Sequence, residues 1–464
     1  MLDVGQSATL AYPQIASHAA ARRSGTGAKA PRGRRATAKI GEDGGLEFVV
    51  VPAIRVALIV MLAMSAASLV VWRVLIPTPR LPRPTGPYGV ATSDYSWTDR
   101  TRLEPFTPDA GDHRELVAQV WYPTNAQGAT QTYMDSREPL QVLAKTFRLP
   151  AFLLRNIARA PTHALRDAPA ADGRFPVLVK PAGFSAFRGA SLFWIEALVS
   201  HGYVVVGLDQ PGTSAATILS NEKVVRVIDK PVFDKLMPLA LSRARDQSPT
   251  LNGVALPGGV IPFLADDLRF VLDQLEIMDQ QDPDLAGHLD TGRTGAFGMS
   301  LGGYGVPEAC YRDARFRACL AVDAGKTAAV ARDGLAQPLM IIGRGADSMR
   351  AERRKAGGWP EPEIAHTSNT QRAVFEHNRA DAYYVTIDGM FHVNWTDAPI
   401  WSPVVRWMGL AGPIDPYRGF AETNAYTLAF FAHYLNGKPA PLLDEQSSRR
   451  QGTRLEVRRV SKSH

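Results

Sequence analysis

Cysteine is almost absent from this chain. Two occur among 464 residues, Cys310 and Cys319. Two cysteines are too few for a disulfide scaffold, and the sequence has no C-x-x-C motif and no Cys/His spacing typical of a metal site. We therefore predict neither a metal nor a cofactor. We expect both cysteines to be buried free thiols, because free cysteine packs like a small apolar residue.

The part of the chain that would form a structured body has no net excess of basic residues. The net charge is +7, yet residues 1–80 carry +6 and residues 447–464 carry +5, so residues 81–446 carry −4. A nucleic-acid-binding fold would place its basic residues on a structured face. We therefore expect no nucleic-acid partner, and we interpret 447–464 as a solvated basic tail.

One apolar run stands apart from the rest of the sequence. Val56–Trp72 has 17 residues without a charge, between Arg55 and Arg73. That length is at the short end of a membrane span. A buried core helix and a cleaved signal peptide are the alternatives, although the leader before the run would be unusually long for a signal peptide. We predict a membrane anchor or signal-anchor helix, with the body outside the cytoplasm (periplasmic or secreted side), because the larger basic cluster precedes the run.

Composition divides the chain into five segments. Residues 1–47 form a basic low-complexity tail, 48–76 the transmembrane or signal-anchor segment, and 77–87 a proline-rich linker. Residues 88–446 have the mixed apolar and polar pattern of one globular catalytic domain, and the basic tail 447–464 follows.

Short apolar runs alternate with helical spacing throughout the globular domain. Helices are predicted near Ser191–His201 and over Phe263–Met278. Strands are predicted at Leu116–Tyr122, Pro176–Lys180, Tyr203–Leu208, Thr294–Met299, Cys319–Val322, Leu339–Ile342 and Tyr383–Ile387. This alternation predicts an α/β fold with a mainly parallel, doubly wound sheet and helices on both faces. Two long segments interrupt this alternation: 129–168, which has a helical pattern, and 209–262, which is rich in proline and glycine with one helical piece. We predict that they are helical cap insertions over a pocket, and surface excursions unrelated to a pocket are the alternative.

A G-x-S-x-G pattern lies in "GAFGMSLGGYG", residues 295–305, with Ser300 at its centre. Alone the pattern is weak, because glycine and serine are common and a glycine-rich turn would match it. Here a predicted strand precedes the serine and an Ala/Gly-rich helix follows it. That context is typical of a nucleophile elbow, in which small residues let strand and helix approach closely and expose the hydroxyl. Ser300 is therefore the candidate nucleophile, and it requires a base and an acid.

The base is expected to be a histidine late in the chain, since an elbow fold orders its residues as serine, acid, histidine. His392 follows the last predicted strand, in "DGMFHVNWTD". His366 and His377 lie in a polar stretch and are interpreted as surface residues, and His433 lies in an apolar helix. We therefore assign the base to His392.

Two aspartates that follow predicted strands are candidates for the acid. Asp323 ends "CLAVDAG", and Asp347 follows the next strand in "MIIGRGAD". Position supports both residues, and the general pattern of the fold favours Asp347. The oxyanion hole should combine the backbone N–H of Leu301 with one from the loop "KPAGFSAFRG", where Phe184 is the candidate donor.

Six stretches, in order over Pro84–Asp397, resemble the plasma-type platelet-activating-factor acetylhydrolase family, a branch of the α/β-hydrolases. They are "PTGPYGVATSDYSW" with "VWYP", "AGFSAFRGAS", "GYVVVGLDQPGTSAAT", "GMSLGG", "DARFRACLAVDAG" and "DGMFHVNWTD". The resemblance implies Ser300 as nucleophile, Asp323 as acid and His392 as base. It also implies calcium-independent hydrolysis of short or oxidised acyl esters, with helical segments guiding amphipathic substrates.

The sequence departs from the family at the oxyanion loop, where the family's His-Gly pair is Ala182-Gly183. The glycine is kept, so the backbone donor is retained while the rim of the pocket differs. Substrate does not follow from fold kinship.

We therefore predict a serine carboxylic ester hydrolase that forms an acyl-enzyme and acts on a small-molecule ester or a phospholipid-like substrate. The membrane would be a partner through the N-terminal helix. The alternatives are an esterase similar to dienelactone hydrolase, a polyester-cleaving esterase, and a catalytically silent hydrolase fold used as a binding module.

Overall fold

The computed structural model describes residues 50–460 except 76, 135, 147–150, 242–247 and 445–449. The basic tail predicted over 1–47 lies outside the described residues. The chain divides into two units, one ending at Leu75 and holding the first helix, the other holding the globular body from residue 76 onward.

The first unit contains helix α1, Val50–Leu75. Its segment Arg55–Leu75 has 21 residues with a mean hydropathy of 2.2, and none of it is buried. By length and composition this helix can cross a membrane. The apolar helix predicted from the sequence is therefore present.

The body contains fifteen strands among the residues that the structure describes. They are β1 (Gly89–Leu103), β2 (His113–Thr124), β3 (Thr130–Thr132), β4 (Pro161–Arg166), β5 (Phe175–Pro181), β6 (Val204–Asp209), β7 (Ala216–Ile218), β8 (Val224–Arg226), β9 (Thr250–Leu251), β10 (Val254–Ala255), β11 (Leu289–Met299), β12 (Phe316–Val322), β13 (Leu339–Gly343), β14 (Ala382–Ile387) and β15 (Thr453–Arg458).

The α-helices of the body, within the same described ranges, are numbered on from α1. They are α2 (Arg137–Thr146), α3 (Arg155–Ala158), α4 (Leu192–Ser200), α5 (Lys230–Leu241), α6 (Val260–Gln281), α7 (Leu301–Arg312), α8 (Ala328–Asp333), α9 (Ala346–Ala356), α10 (Glu361–His377), α11 (Ala398–Trp401), α12 (Pro403–Trp407) and α13 (Pro416–Asn436). Short 3₁₀ turns lie at Ala151–Leu154, His392–Trp395 and Pro441–Leu443.

Eleven of the described strands form one sheet, in the order β15-β14-β13-β12-β11-β5-β6-β2-β1-β4-β3. The six strands from β14 to β6 are mutually parallel, and β2 and β15 flank them antiparallel. Every strand predicted from the sequence is confirmed as a member of this sheet. The predicted α/β-hydrolase class, with its mainly parallel sheet and helices, is confirmed as well.

Helices cover both faces of the parallel strands. Along β5 the side chains of Val177 and Val179 pack on the face covered by α6, whereas Leu178 packs on the opposite face with Trp194 of α4 and Phe431 of α13. A strand that is buried on both faces requires a continuous apolar run rather than an alternating one. For this reason the apolar runs of β5 and β6 predicted these strands from the sequence.

The two long insertions contain short strands as well as helices. Segment 129–168 contains α2 and α3, but β3 and β4 within it extend the sheet, so it is only partly helical. Segment 209–262 contains α5 and four short strands that form two hairpins.

Two further expectations are corrected. The predicted basic tail, 447–464, contains β15, which pairs with β14 and so belongs to the sheet. Its arginines did not prevent strand formation, because an edge strand has a solvent-facing side on which charges are tolerated. Cys310 and Cys319 are not free thiols but form a disulfide, with their Cα atoms 6.7 Å apart, linking α7 to β12.

Candidate active site

Ser300 lies on the sharp turn between β11 and α7. Its φ is +57°, in the left-handed region that non-glycine residues rarely adopt. A Cβ on Gly298 would lie 2.5 Å from the carbonyl oxygen of Gly302, and one on Gly303 would lie 2.8 Å from that of Val322. Side chains at these two positions would force strand and helix apart. The glycines therefore allow the close approach that leaves Ser300 at the carboxyl edge of the sheet.

Strand register places the candidate acid beside the serine. Met299, the last residue of β11, pairs with Val322, the last residue of β12. The residues that follow, Ser300 and Asp323, therefore leave the same edge of the sheet from neighbouring strands. Asp323 is fully buried and also has a left-handed backbone, with φ +44°.

His392 reaches the same edge from beyond β14, at the start of the 3₁₀ turn. Its Nδ1 lies 2.6 Å from Oδ2 of Asp323. With the carboxyl ionised, this hydrogen bond requires the proton on Nδ1, so the neutral imidazole keeps Nε2 free to accept a proton.

Arg344 is the second donor to the acid. Its Nε lies 3.0 Å from Oδ1 and 2.9 Å from Oδ2 of Asp323. Burial alone would raise the pKa of Asp323, but the charge of Arg344 and the hydrogen bond from His392 outweigh it and hold the pKa below its ordinary value. The acid is therefore ionised at neutral pH.

Ser300 and His392 both line one small cavity of about 80 Å³. Much of its wall is apolar, including Leu143 of α2, Phe187 and Trp401. Lys180 at the end of β5 also contributes to the wall, and burial lowers the pKa of this lysine to about 8. A cavity of this size and lining can take a short acyl group. Leu143 belongs to α2, so segment 129–168 contributes to the wall of this cavity, and its role as a cap stays a prediction.

The loop that was predicted to supply an oxyanion donor lies against the nucleophile. A Cβ on Gly183 would be 3.6 Å from the Cβ of Ser300. Phe184 is buried, and its ring lies 4.3 Å, centroid to centroid, from that of Phe233 in α5. Leu301 is the first residue of α7, where backbone N–H groups have no partner inside the helix. The roles of Phe184 and Leu301 as donors stay predictions.

The alternative acid is not brought to the imidazole. The Asp347 side chain is 99% exposed and is paired with Arg350 at 3.0 Å, on α9. Sequence position supported it because it follows β13 closely, but the helix that begins at Ala346 carries its carboxylate into solvent.

Three other late histidines among the described residues have different partners. His377 Nδ1 is 2.9 Å from the carbonyl oxygen of Ala331, and His433 Nδ1 is 3.1 Å from that of Lys438. His366, expected at the surface, is half-buried, with its ring stacked 6.4 Å from that of Tyr304. The expectation for His366 therefore differs from the structure, because α10 packs its residue 366 towards α7 rather than towards solvent.

Three residues around the acid were missed in the sequence. Arg344 directly follows β13, Glu352 on α9 receives Nη1 of Arg344, and the Trp359 ring lies 4.9 Å from the Arg344 guanidinium and 5.0 Å from the His392 ring. The available signal was the position of Arg344, a charged residue immediately after a fully apolar strand at the edge that carries the other candidates.

Comparisons with known proteins agree with this architecture. The family model described as "Platelet-activating factor acetylhydrolase, isoform II" matches residues 275–441. A ferulic acid esterase from Streptomyces cinnamoneus has a similar fold, with a TM-score of 0.62 and 23% identity, covering 82% of this chain and 99% of that chain. No curated protein sequence matches the chain.

These observations define the class of the protein: it is a carboxylic ester hydrolase with the α/β-hydrolase fold. Within that class, the resemblance to the platelet-activating factor acetylhydrolase family is confirmed over 275–441, a segment that contains Ser300, Asp323 and His392.

Proposed function

We propose that the protein is a serine esterase in which Ser300, His392 and Asp323 act as the catalytic triad. The observation that carries this proposal is the 2.6 Å contact between His392 Nδ1 and Asp323 Oδ2, next to a cavity that Ser300 and His392 share. Asp323 holds the imidazole in the tautomer that a general base requires and stabilises the imidazolium that forms.

The reaction proceeds in two halves. His392 Nε2 removes the proton from Ser300 Oγ as the oxygen attacks the ester carbonyl, and the N–H groups of Leu301 and Phe184 receive the negative charge of the tetrahedral oxygen. The imidazolium then protonates the departing alcohol, which leaves an acyl-Ser300. Water, deprotonated by the same histidine, attacks the acyl carbonyl. The bond between the acyl carbon and Ser300 Oγ then breaks, and the imidazolium returns its proton to Oγ as the acid is released.

The cavity supports a short acyl group as the preferred substrate part. At about 80 Å³, with Leu143 and Trp401 in the wall, it favours acetyl- to butyryl-sized groups over long chains. The alcohol part is then the larger one, and a phospholipid-like alcohol fits the family match over 275–441.

Location outside the cytoplasm is part of the proposal. The apolar helix α1 serves as a membrane anchor or signal anchor in front of the body. The Cys310–Cys319 disulfide supports an oxidising compartment, because cytosolic thiols are kept reduced.

A fluorophosphonate probe tests the nucleophile. We expect the purified protein to be labelled once, on Ser300, and we expect Ser300→Ala to take no label and to lose at least about 10³-fold in kcat/KM. An unlabelled but folded wild-type protein would mean that the fold serves as a binding module.

The preferred acyl length is tested by measuring kcat/KM on p-nitrophenyl esters of increasing acyl length. We expect kcat/KM to be highest for acetate to butyrate and to fall steeply beyond, because longer chains exceed the cavity. Highest activity on long or aromatic acyl groups would contradict the short-acyl proposal and favour an enzyme similar to dienelactone hydrolase or a polyester-cleaving enzyme.

A further inference from the structure

Arg344 occupies the place where the general α/β-hydrolase pattern puts the acid. It directly follows β13, one strand beyond the strand that ends in Asp323. Ile342 on β13 pairs with Val322, the last residue of β12, and β13 ends one residue later, so both strands end at the same edge of the sheet. The Arg344 cation therefore lies beside Asp323, the acid that directly follows the neighbouring strand β12.

The Arg344 guanidinium is held on several sides. Nη1 pairs with Oε2 of Glu352, and the planar group lies over the Trp359 ring at 4.9 Å. Glu352 Oε2 also accepts a hydrogen bond from the backbone N–H of His392, at 3.4 Å. Since Glu352 contacts both Arg344 and the His392 turn, the position of Arg344 is tied to that of the base.

Asp323 depends on Arg344 for its charge. The side chains of Arg344, Asp323 and Glu352 are between 0% and 2% exposed. An ionised carboxylate buried to this degree costs several kcal/mol unless it is paired and hydrogen-bonded. Among the residues that the structure describes, Arg344 and His392 have side chains that donate to it. His392 gains and loses protons during turnover, so Arg344 is the donor whose charge stays constant.

Other charged or titratable groups near the acid come from the neighbouring elements. Lys326 follows β12, and its charge favours the ionised form of Asp323, but its side chain donates to the carbonyl oxygens of Ala324 and Gly325. The remaining groups facing the pair or the groove beside it are Glu352, Tyr304, Tyr384, Arg372, Arg454 and Glu456.

We propose that Arg344 is a positioning residue for the catalytic acid: it keeps Asp323 ionised and fixes the carboxylate so that Oδ2 points at His392. This inference rests on the triad of the proposed function. Without the arginine, the hydrogen bond from His392 is left to oppose the effect of burial, and the pKa of Asp323 rises. At a given pH a smaller fraction of the enzyme then has the ionised acid, so the acidic limb of the kcat/KM profile moves to higher pH.

Two substitutions separate charge from geometry. Arg344→Gln keeps a hydrogen-bond donor but removes the charge, and we expect at least a tenfold loss of kcat/KM at pH 7 that recovers towards pH 9, since each unit of pKa above the assay pH costs about tenfold. Arg344→Lys keeps the charge but not the planar contact to both oxygens, and we expect the wild-type acidic limb with kcat reduced about tenfold and KM unchanged.

The matched control is Arg114→Gln. Arg114 is another fully buried arginine, and it pairs with two carboxylates that do not line the cavity. In the control, any change in kcat/KM should be the same at every pH. If the loss of kcat/KM in Arg344→Gln is also the same at every pH, the inference is overturned. If Arg344→Gln does not fold, Arg344→Lys still decides, because a kcat equal to wild type would contradict positioning by the planar group. Failure of the triad itself is recognised separately, as a wild-type activity no higher than that of Ser300→Ala.

Discussion

Two buried arginines in this protein have nearly the same surroundings and different consequences. The Arg344 cluster (Arg344, Asp323, Glu352) and the Arg114 cluster (Arg114, Glu104, Asp267) each pair one arginine with two carboxylates, with side chains at most 2% exposed. Each guanidinium also lies over an aromatic ring, at 4.9 Å and 5.0 Å respectively.

The clusters differ in what else contacts the aspartate. Asp267 receives Nε2 of Gln210 at 2.8 Å and is paired with Arg102 at 2.9 Å, groups that keep their protons throughout the physiological pH range. Asp323 instead shares Oδ2 with His392, whose ring lines the cavity next to Ser300. Burial and ion pairing therefore do not identify a catalytic carboxylate. The feature that supports the proposed role of Asp323 is its contact with His392, an imidazole that lines the cavity beside Ser300 and can accept a proton there.

The largest effect is expected at the aspartate itself. Asp323→Asn keeps the size of the side chain but cannot stabilise an imidazolium, and we expect kcat to fall by about 10³- to 10⁴-fold. Asp347→Asn should retain kcat within about twofold, because its carboxylate is in solvent. Steady-state kinetics on p-nitrophenyl acetate give both kcat values. A large loss in Asp347→Asn with little loss in Asp323→Asn would assign the acid to Asp347.

The Arg114 cluster should respond in stability rather than in catalysis. Arg114→Gln leaves Glu104 and Asp267 buried without their main partner, and we expect the free energy of unfolding to fall by about 3–5 kcal/mol. Because Arg114, Glu104 and Asp267 are not among the residues that line the cavity beside Ser300 and His392, the pH profile of kcat/KM should keep its shape. Urea unfolding followed by tryptophan fluorescence gives the free energy of unfolding. If the acidic limb of the kcat/KM profile of Arg114→Gln moves, the two clusters do not differ in the way proposed.

A smaller effect is expected at Lys326, the buried cation beside the Arg344 cluster. Burial lowers the pKa of Lys326 to about 7, whereas the unfolded chain binds that proton up to about pH 10.4. The unfolded state therefore binds more protons between these values, so this group makes the free energy of unfolding rise with pH. It contributes a penalty that is largest at and below pH 7 and disappears as the pH approaches 10.4.

Removing the lysine should remove that rise. Between pH 7 and pH 9 the Lys326 group should raise the free energy of unfolding of wild type by about 2–3 kcal/mol. Lys326→Met should lack this rise, so the free energy of unfolding of the variant minus that of wild type should fall by the same amount over this pH range. Urea unfolding at the two pH values gives the difference, and Lys438→Met, at an exposed lysine, is the matched control. A difference that does not vary with pH would show that Lys326 is not neutral in the folded protein near pH 8.

Much of the fold could be predicted because parallel strands buried on both faces require uninterrupted apolar runs, such as "YVVVGL" and "LMIIG". The serine and the histidine were also predictable candidates, since the elbow needs its glycines and the base follows the last parallel strand. The choice between Asp323 and Asp347 was not decided by position. Each follows a strand, and only the path of α9 shows that one of them turns into solvent.

Other features depend on contacts that spacing does not encode. Nine positions separate Cys310 from Cys319, and their pairing requires that the end of α7 lie beside the middle of β12. Strand β15 is rich in arginine, so its composition is typical of a tail, and it becomes a strand by pairing with β14. Arg344 is recognisable only once β12 and β13 are known to be neighbours.

The left-handed backbone at Ser300 and Asp323 also bears on how this fold can lose its chemistry over evolutionary time. Glycine, asparagine and aspartate are the residues that adopt such a conformation at least cost. Replacement of Ser300 by glycine, or of Asp323 by asparagine or glycine, would therefore keep the local backbone conformation at little cost while removing the proposed nucleophile or the proposed acid. We expect relatives that have become non-catalytic binding proteins to carry these residues at the two positions, with the rest of the sheet edge unchanged.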